Sequence, residues 1–409
     1  LAAGTNDTNP AFSPDGRTLA FTRCYPNRNA IYFLQLGKNY EPQGEPPRLA
    51  TEGFGAAWTP DGSDIVFCGG HPAQGAGGLW RMAATMSGKP VRLGFGLDAV
   101  CSPAVSVRGN RLAYAVRNRV LNLYHVDLSG PDRTPGIPSR ISSNMIDYCP
   151  TYSPNGKKIS FHSTRSGAWE IWVCDSDGSS AHQLTSLRGE DNDRSTWSPD
   201  GHSIAFGLTV AGRSQLFVMS SNGGLPRSLM TEPIGDMLWP FWSRDGQSIY
   251  FRSKRSGSSE IWKMPAAGGE AVQITPNGDE RDLPQESPDG RFLYYMKADR
   301  FPDVCSVWRV PSSGGKESKV IDSTSCFCPF AVGEQGIYYL TPRDLPWPYR
   351  DKEFRLSINF YDSRTGKTRK ILELEKGANS IAASADGASL LYTQNLQGYG
   401  QLMLVENFR

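Results

Sequence analysis

Ser153-Pro154-Asn155-Gly156-Lys157-Lys158-Ile159-Ser160-Phe161, continued by Ser163-Thr164-Arg165-Ser166-Gly167 and Glu170-Ile171-Trp172-Val173-Cys174, is the stretch from which the fold is read. Ser-Pro-Asn-Gly is a tight turn. Proline pre-sets φ at the second position, asparagine tolerates the third, and glycine accepts the positive φ that closes it. Ile159 and Phe161 then alternate with polar neighbours, the period of a half-buried strand. Arg165-Ser166-Gly167 turns the chain, and Ile171-Trp172-Val173 reads as the answering strand. The unit is a hairpin with an aromatic residue on each arm.

The same turn recurs at Ser13-Pro14-Asp15-Gly16 and Thr59-Pro60-Asp61-Gly62, in a degraded form at Ser106-Val107-Arg108-Gly109, and again from Ser198, Ser243, Ser287 and Ser384. A ninth copy, around Val332 to Gly336, is recognised by its flanks. The interval is roughly 45 residues, the spacing of stacked repeats or propeller blades. Apolar pairs hold register after each turn, as Leu19/Phe21, Ile65/Phe67, Leu112/Tyr114, Ile204/Phe206, Ile249/Phe251, Leu293/Tyr295, Ile337/Tyr339 and Leu390/Tyr392. A third strand carries aliphatic–aromatic pairs such as Leu79-Trp80, Leu123-Tyr124 and Ile261-Trp262. A weaker fourth follows a turn, as in Gln183-Leu184-Thr185 and Val272-Gln273-Ile274-Thr275. No segment of about 12 residues shows a helical apolar rhythm free of Gly or Pro.

Four antiparallel strands per repeat predict an all-β protein, a closed β-propeller of four-stranded antiparallel blades. Units of this size cannot bury their own apolar faces and must stack on neighbours, which makes residues 1–409 one domain. The repeats fall at 5–50, 51–97, 98–145, 146–190, 191–235, 236–280, 281–325, 326–377 and 378–409 plus 1–4, nine blades in all. The last repeat ends on its third strand, so residues 1–4 are expected to supply its outer strand and remove an exposed edge. The alternative is eight blades with 326–377 folded differently.

Composition narrows the function. The chain has 43 Lys and Arg against 41 Asp and Glu, a net charge of +2, which gives no nucleic-acid or anionic-membrane surface. The 43 glycines and 29 prolines suit a turn-rich β protein. No apolar run approaches the ~20 residues that span a bilayer, and Leu1-Ala2-Ala3-Gly4 lacks the features of a signal peptide. The start without Met points to a mature form or an excised fragment. Eight cysteines (Cys24, Cys68, Cys101, Cys149, Cys174, Cys305, Cys326, Cys328) are scattered without a C-x-x-C pair. They read mainly as small apolar core residues, with one or two disulfides compatible with an extracytoplasmic location.

The Ser-Pro-Asp-Gly turns, the Ser163–Gly167 and Ser253–Gly257 loops and the Glu-Ile-Trp strands at 170 and 260 resemble the WD-like repeats of TolB-type propellers. The resemblance covers essentially the whole chain. More narrowly, 172–178 (WVCDSDG) and 402–409 (LMLVENFR) are similar to the C-terminal sensor propellers of bacterial winged-helix transcriptional regulators. That resemblance implies a sensing or binding module, an extracytoplasmic (periplasmic) location, and no catalytic residues.

In a propeller the innermost strand begins at the mouth of the central channel. Three residues before the Pro10 position lie Asp7, Gly53, Val100, Asp147, Asn192, Met237, Arg281, Cys326 and Ala378. One residue before it lie Asn9, Gly55, Ser102, Cys149, Arg194, Trp239, Leu283, Cys328 and Ser380. These positions vary while turns and core repeat, as a binding surface requires and as drift of solvated loops also produces. The insertion 341–355 adds Trp347, Tyr349 and Arg350, residue types enriched at interaction hot spots, or else a proline-stiffened loop packing on its own ring. The candidate ligand-binding residues are thus Asp7, Asp147, Asn192, Arg194, Trp239, Arg281, Trp347, Tyr349 and Arg350.

Enzyme signatures are poor. Asp191-Asn192-Asp193 lacks the twelve-residue Ca²⁺ loop, His71, His125, His162, His182 and His202 are dispersed, Gly75 to Gly78 lacks a phosphate-loop context, and no Gly-x-Ser-x-Gly elbow exists. No cofactor is indicated; a channel-bound Ca²⁺ would need no motif. The expected function is non-enzymatic binding of a protein, peptide or small ligand at the channel mouth. The alternatives are a hydrolase or lyase using channel carboxylates such as Asp7 and Asp147, and a purely structural assembly scaffold.

Overall fold

The computed structural model describes residues 6–408 apart from 26–27, 44–47, 70–77, 86–88, 95–99, 109, 118–119, 131–132, 143–145, 188–193, 211–212, 231–236, 277, 279, 301–303, 327, 342–355, 375–376 and 397–399. Described residues form antiparallel sheets without an α-helix among them. The chain divides into two compact units, residues 1–119 with 397–409, and residues 120–396.

The recurring turn sets each sheet. In the turn Ser153–Gly156, Ser153 Oγ donates to Asn155 Oδ1 at 2.8 Å, and accepts from Lys158 N at 2.9 Å. Gly156 N closes on Ser153 O at 2.8 Å with φ at 69°. The strand that follows, Lys158–Ser163, pairs with Glu170–Asp175, and Phe161 faces Trp172 across it. Arg165 lies over both rings, 4.9 Å and 4.8 Å from their centroids. Arg255 repeats the arrangement over Phe251 and Trp262 at 5.4 Å and 4.8 Å. A second lock closes the third strand on the fourth. Thr185 Oγ1 accepts Ile171 N and donates to Glu170, and Thr275 does the same with Ile261 N and Glu260.

The first unit holds three sheets. Sheet 1 comprises Asn6–Phe12, Thr18–Tyr25, Arg28–Leu36 and the short Pro42–Gln43 and Arg48–Glu52. Sheet 2 comprises Phe54–Trp58, Asp64–Gly69, Gly78–Ala83 and Val91–Arg92. Sheet 3 comprises Val100–Val105, Leu112–Arg117 and Gly400–Val405.

The second unit holds six. Sheet 4 joins Ala378–Ala383 and Ser389–Leu396 to Val120–Asp127 and Ser139–Arg140. Sheets 5 to 9 follow in chain order, opening with the strands Asp147–Tyr152, Thr196–Trp197, Met237–Trp242, Arg281–Glu286 and Phe330–Gly333. Each packs on the next, and sheet 4 packs on both sheet 5 and sheet 9. The core consists of the apolar pairs between these sheets, for example Ile171, Val173, Trp197, Ile204 and Phe206 between sheets 5 and 6.

One expectation is corrected. The repeats at 98–145 and 378–409 do not each form a sheet; each is divided after its second strand, and the halves exchange. Leu112–Arg117 takes Gly400–Val405 as its neighbour, with Tyr114 opposite Met403. Ser389–Leu396 takes Val120–Asp127, with Tyr124 stacked on Tyr392 at 5.3 Å. The cause lies in the repetition itself. Every second strand presents the same alternation to its third, so the local pattern does not say which copy answers which. The outer strand assigned to residues 1–4 lies outside the described residues.

Candidate functional site

The structure places the candidate mouth residues in ion pairs and packed positions. Asp7 accepts from Arg23 Nε and Nη2, both at 2.8 Å. Asp147 is fully buried and accepts from Arg165 Nη2 at 2.8 Å, so the arginine that stacks on Phe161 and Trp172 also neutralises it. Arg281 is 2% exposed; its Nη1 reaches Glu260 Oε2 at 2.8 Å and its Nη2 reaches Glu317 Oε2 at 3.2 Å. Glu317 also takes Lys297 and the Tyr295 hydroxyl. Arg281 therefore ties sheet 7, through Glu260, to the outer strand of sheet 8. Arg194 is buried at the start of sheet 6. Asp7 belongs to the first unit and Asp147 to the second. Asn192, its neighbours Asp191 and Asp193, and Trp347, Tyr349 and Arg350 lie outside the described residues.

The positions one residue before Pro10 share a backbone property. Asn9, Gly55, Ser102, Cys149, Trp239, Leu283 and Cys328 all have positive φ, between 46° and 59°. In sheets 1, 2, 3, 5, 7 and 8 a register shift of the innermost strand sits at that point, and in sheet 9 Cys328 precedes the strand Phe330–Gly333. The bulge re-aims the side chain. In the second unit Cys149, Leu283 and Cys328 are buried in one apolar cluster, with Tyr148 and Trp239 packed against it. Trp239 is thus part of an apolar packing cluster in the second unit.

Carboxylate chemistry has one unusual member. Burial raises the Asp282 carboxyl above its ordinary value, opposed by Arg252, whose Nη1 lies 3.2 Å away. Among the described residues no group of three His, Cys, Asp or Glu side chains is arranged to hold a metal ion.

A groove that the repeat positions alone did not single out crosses the first unit. The innermost strands of sheets 1, 2 and 3 line a concavity of about 440 Å³ that includes Pro10, Phe12, Trp58, Pro60, Pro103 and Val107. Among the described residues no charged side chain lines it. Phe12 is 57% exposed and Val107 81%. Trp58 is fixed there by a 3.0 Å bond from Nε1 to Ala11 O, and its ring stacks on Phe33. The signal was present in the sequence: Val107 stands where five other copies of the turn carry proline, and where the Ser243 and Ser384 copies carry Arg244 and Ala385. The second unit has a polar cleft of about 690 Å³ lined by Arg133, Phe360, Asp362, Arg369 and Asp386, among others. There Arg133 is committed to Tyr338 Oη and Gly387 O, at 3.1 Å and 2.6 Å. The turns hold Asp362 and Asp386 below the usual carboxylate range, so neither is a ready proton donor.

The sequence pattern described as PD40, TolB beta propeller domain, matches residues 2–194 and 141–325. The uncharacterized protein Atu1656 of Agrobacterium fabrum is 28% identical over 178 residues, which span 42% of this chain and 41% of that protein. The putative TolB from Agrobacterium tumefaciens superposes with a TM-score of 0.56 at 20% identity, over 68% of this chain and 99% of its own. TolB from Acinetobacter baumannii superposes with a TM-score of 0.47 at 15% identity, over 84% of this chain and 83% of its own.

Proposed function

The chain belongs to the TolB beta propeller domain family, and from that premise we propose that it is a non-enzymatic module that binds an extended, uncharged segment of a protein partner. The observation that carries this reading is the exposed groove of the first unit, lined among the described residues mainly by prolines, alanines, Phe12, Trp58 and Val107. Burying two side chains such as Phe12 and Val107 contributes roughly 1.5–3 kcal/mol each before ordering costs. A groove without charged groups selects a partner segment without them.

The second unit is read as a six-bladed ring. Its sheets contact one another cyclically. An extracytoplasmic location suits the disulfide between Cys305 and Cys326. Service as the sensor part of a longer bacterial regulator belongs to the same proposal, and a winged helix encoded upstream of Leu1 would support it.

A displayed peptide library is the direct test. The chain is expected to enrich apolar, proline-containing peptides, and Phe12→Ser with Val107→Ser is expected to weaken them at least tenfold without lowering the melting midpoint. No enrichment, or binding indifferent to both substitutions, contradicts the proposal. A hydrolase or lyase acting through two carboxylates needs them within about 10 Å of each other. Asp282 is the carboxyl to remove in testing that alternative.

A further inference from the structure

Sheet 4 is the one sheet of the second unit assembled from two distant chain segments, 120–140 and 378–396. Its strand pairing is what joins the two ends of that unit. Sheets 5 and 9 flank it. Ile381 N donates to Cys328 O at 3.1 Å on one side, and Leu121 bridges Ile146 on the other.

At the bulge position of the innermost strand, the two flanking sheets alone carry cysteine. Sheet 5 has Cys149 and sheet 9 has Cys328, where sheets 6, 7, 8 and 4 have Arg194, Trp239, Leu283 and Ser380. Both cysteines precede proline and both have positive φ, 46° and 47°. That conformation aims the two side chains at one another. Their sulfurs are 2.7 Å apart, closer than unbonded sulfurs settle and a little beyond the ~2.05 Å of a disulfide. Cys149 is 3% exposed and Cys328 1%, with Leu283, Tyr148 and Trp239 around them.

We infer that Cys149 and Cys328 form a second disulfide, which staples sheet 5 to sheet 9 across the two-segment sheet 4 and closes the second unit covalently. The two residues are 179 apart in sequence, so the link removes a large loop-closure entropy from the unfolded chain.

The bond forms by exchange with a donor disulfide of the kind carried by oxidised dithiol enzymes or oxidised glutathione. One cysteine thiolate attacks the donor, breaking its S–S bond and releasing one donor thiolate. The other thiolate then attacks the mixed disulfide at the protein sulfur and releases the second donor thiolate. The two protein sulfurs lose two electrons in all, the donor gains them, and the two protons end on the donor thiols. Burial of both sulfurs requires this before sheet 4 seals, so the bond belongs to folding. Once made, it resists reductant in the native state.

The test is non-reducing peptide mapping of the full chain refolded in mixed oxidised and reduced glutathione. The expected result is a linked peptide pair carrying Cys149 and Cys328 beside the Cys305–Cys326 pair. Cys149→Ala, Cys328→Ala and the double variant are each expected to lower the oxidised protein's melting midpoint, by the same amount on the order of 10 °C. Alkylation of both cysteines in the refolded wild type, with no linked peptide, overturns the inference. Unequal single-variant effects that add in the double variant overturn it as well. Should the variants fail to fold, the wild-type map alone decides.

Discussion

At the residue scale the chain is governed by one repeated carboxylate. Asp15, Asp200, Asp245, Asp289 and Asp386 are held below the usual carboxylate range, first by the hydroxyl of the serine two residues before and then by a backbone N–H. Asp61, bonded to Thr59, is lowered to about 2. A folded-state value below the unfolded one means that the unfolded chain binds more protons between the two. The stabilisation is complete above the unfolded value near 4 and is lost as pH falls towards 2. Urea midpoints between pH 6 and pH 2 are expected to be flat above about pH 5 and to drop steeply below 4. In the same turns, Ser198→Ala leaves Ser203 N without its 2.9 Å acceptor and is expected to cost about 1–2 kcal/mol in urea unfolding. Arg281→Ala strands Glu260, while Glu317 keeps Lys297 and the Tyr295 hydroxyl, and is expected to cost about 3–5 kcal/mol. Arg281 stood out in the sequence as a variable mouth residue. Its burial did not, because both counter-charges come from elsewhere in the chain, 21 and 36 residues away.

Strands were the legible elements. Turn glycines and the Ile-x-Phe alternation locate the second strand of every repeat, and Phe161, 2% exposed, occupies the core where that alternation puts it. Phe161→Ala is expected to cost about 3–5 kcal/mol in urea unfolding, and to release Arg165 from one of its two rings. What strands pair with is a different matter. The Tyr124–Tyr392 stack and the Tyr114–Met403 pair involve residues more than 250 positions apart, and nothing local distinguishes them from partners in their own repeats. The bulge residues show the same limit: that Cys149 and Cys328 precede proline is plain from the sequence, whereas their convergence needs the sheets in place.

For the molecule as a whole, the third and last repeats exchange halves, which makes, among the described residues, three sheets in one unit and six in the other. The exchange gives each unit a strand from the far end of the chain, so fraying of 378–409 disturbs both. It also separates the roles proposed here, with the apolar groove in the first unit and the stapled ring in the second. Cross-linking reads the central claim out directly. Asp127 and Ser389 are opposite one another at the end of the shared strand pair, so the full-length variant Asp127→Cys with Ser389→Cys is expected to yield that linked peptide on mild oxidation. If the last repeat instead folds on itself as a plain hairpin, Ser389→Cys will link to Asn407→Cys and leave Asp127→Cys unreacted, and the exchange is contradicted.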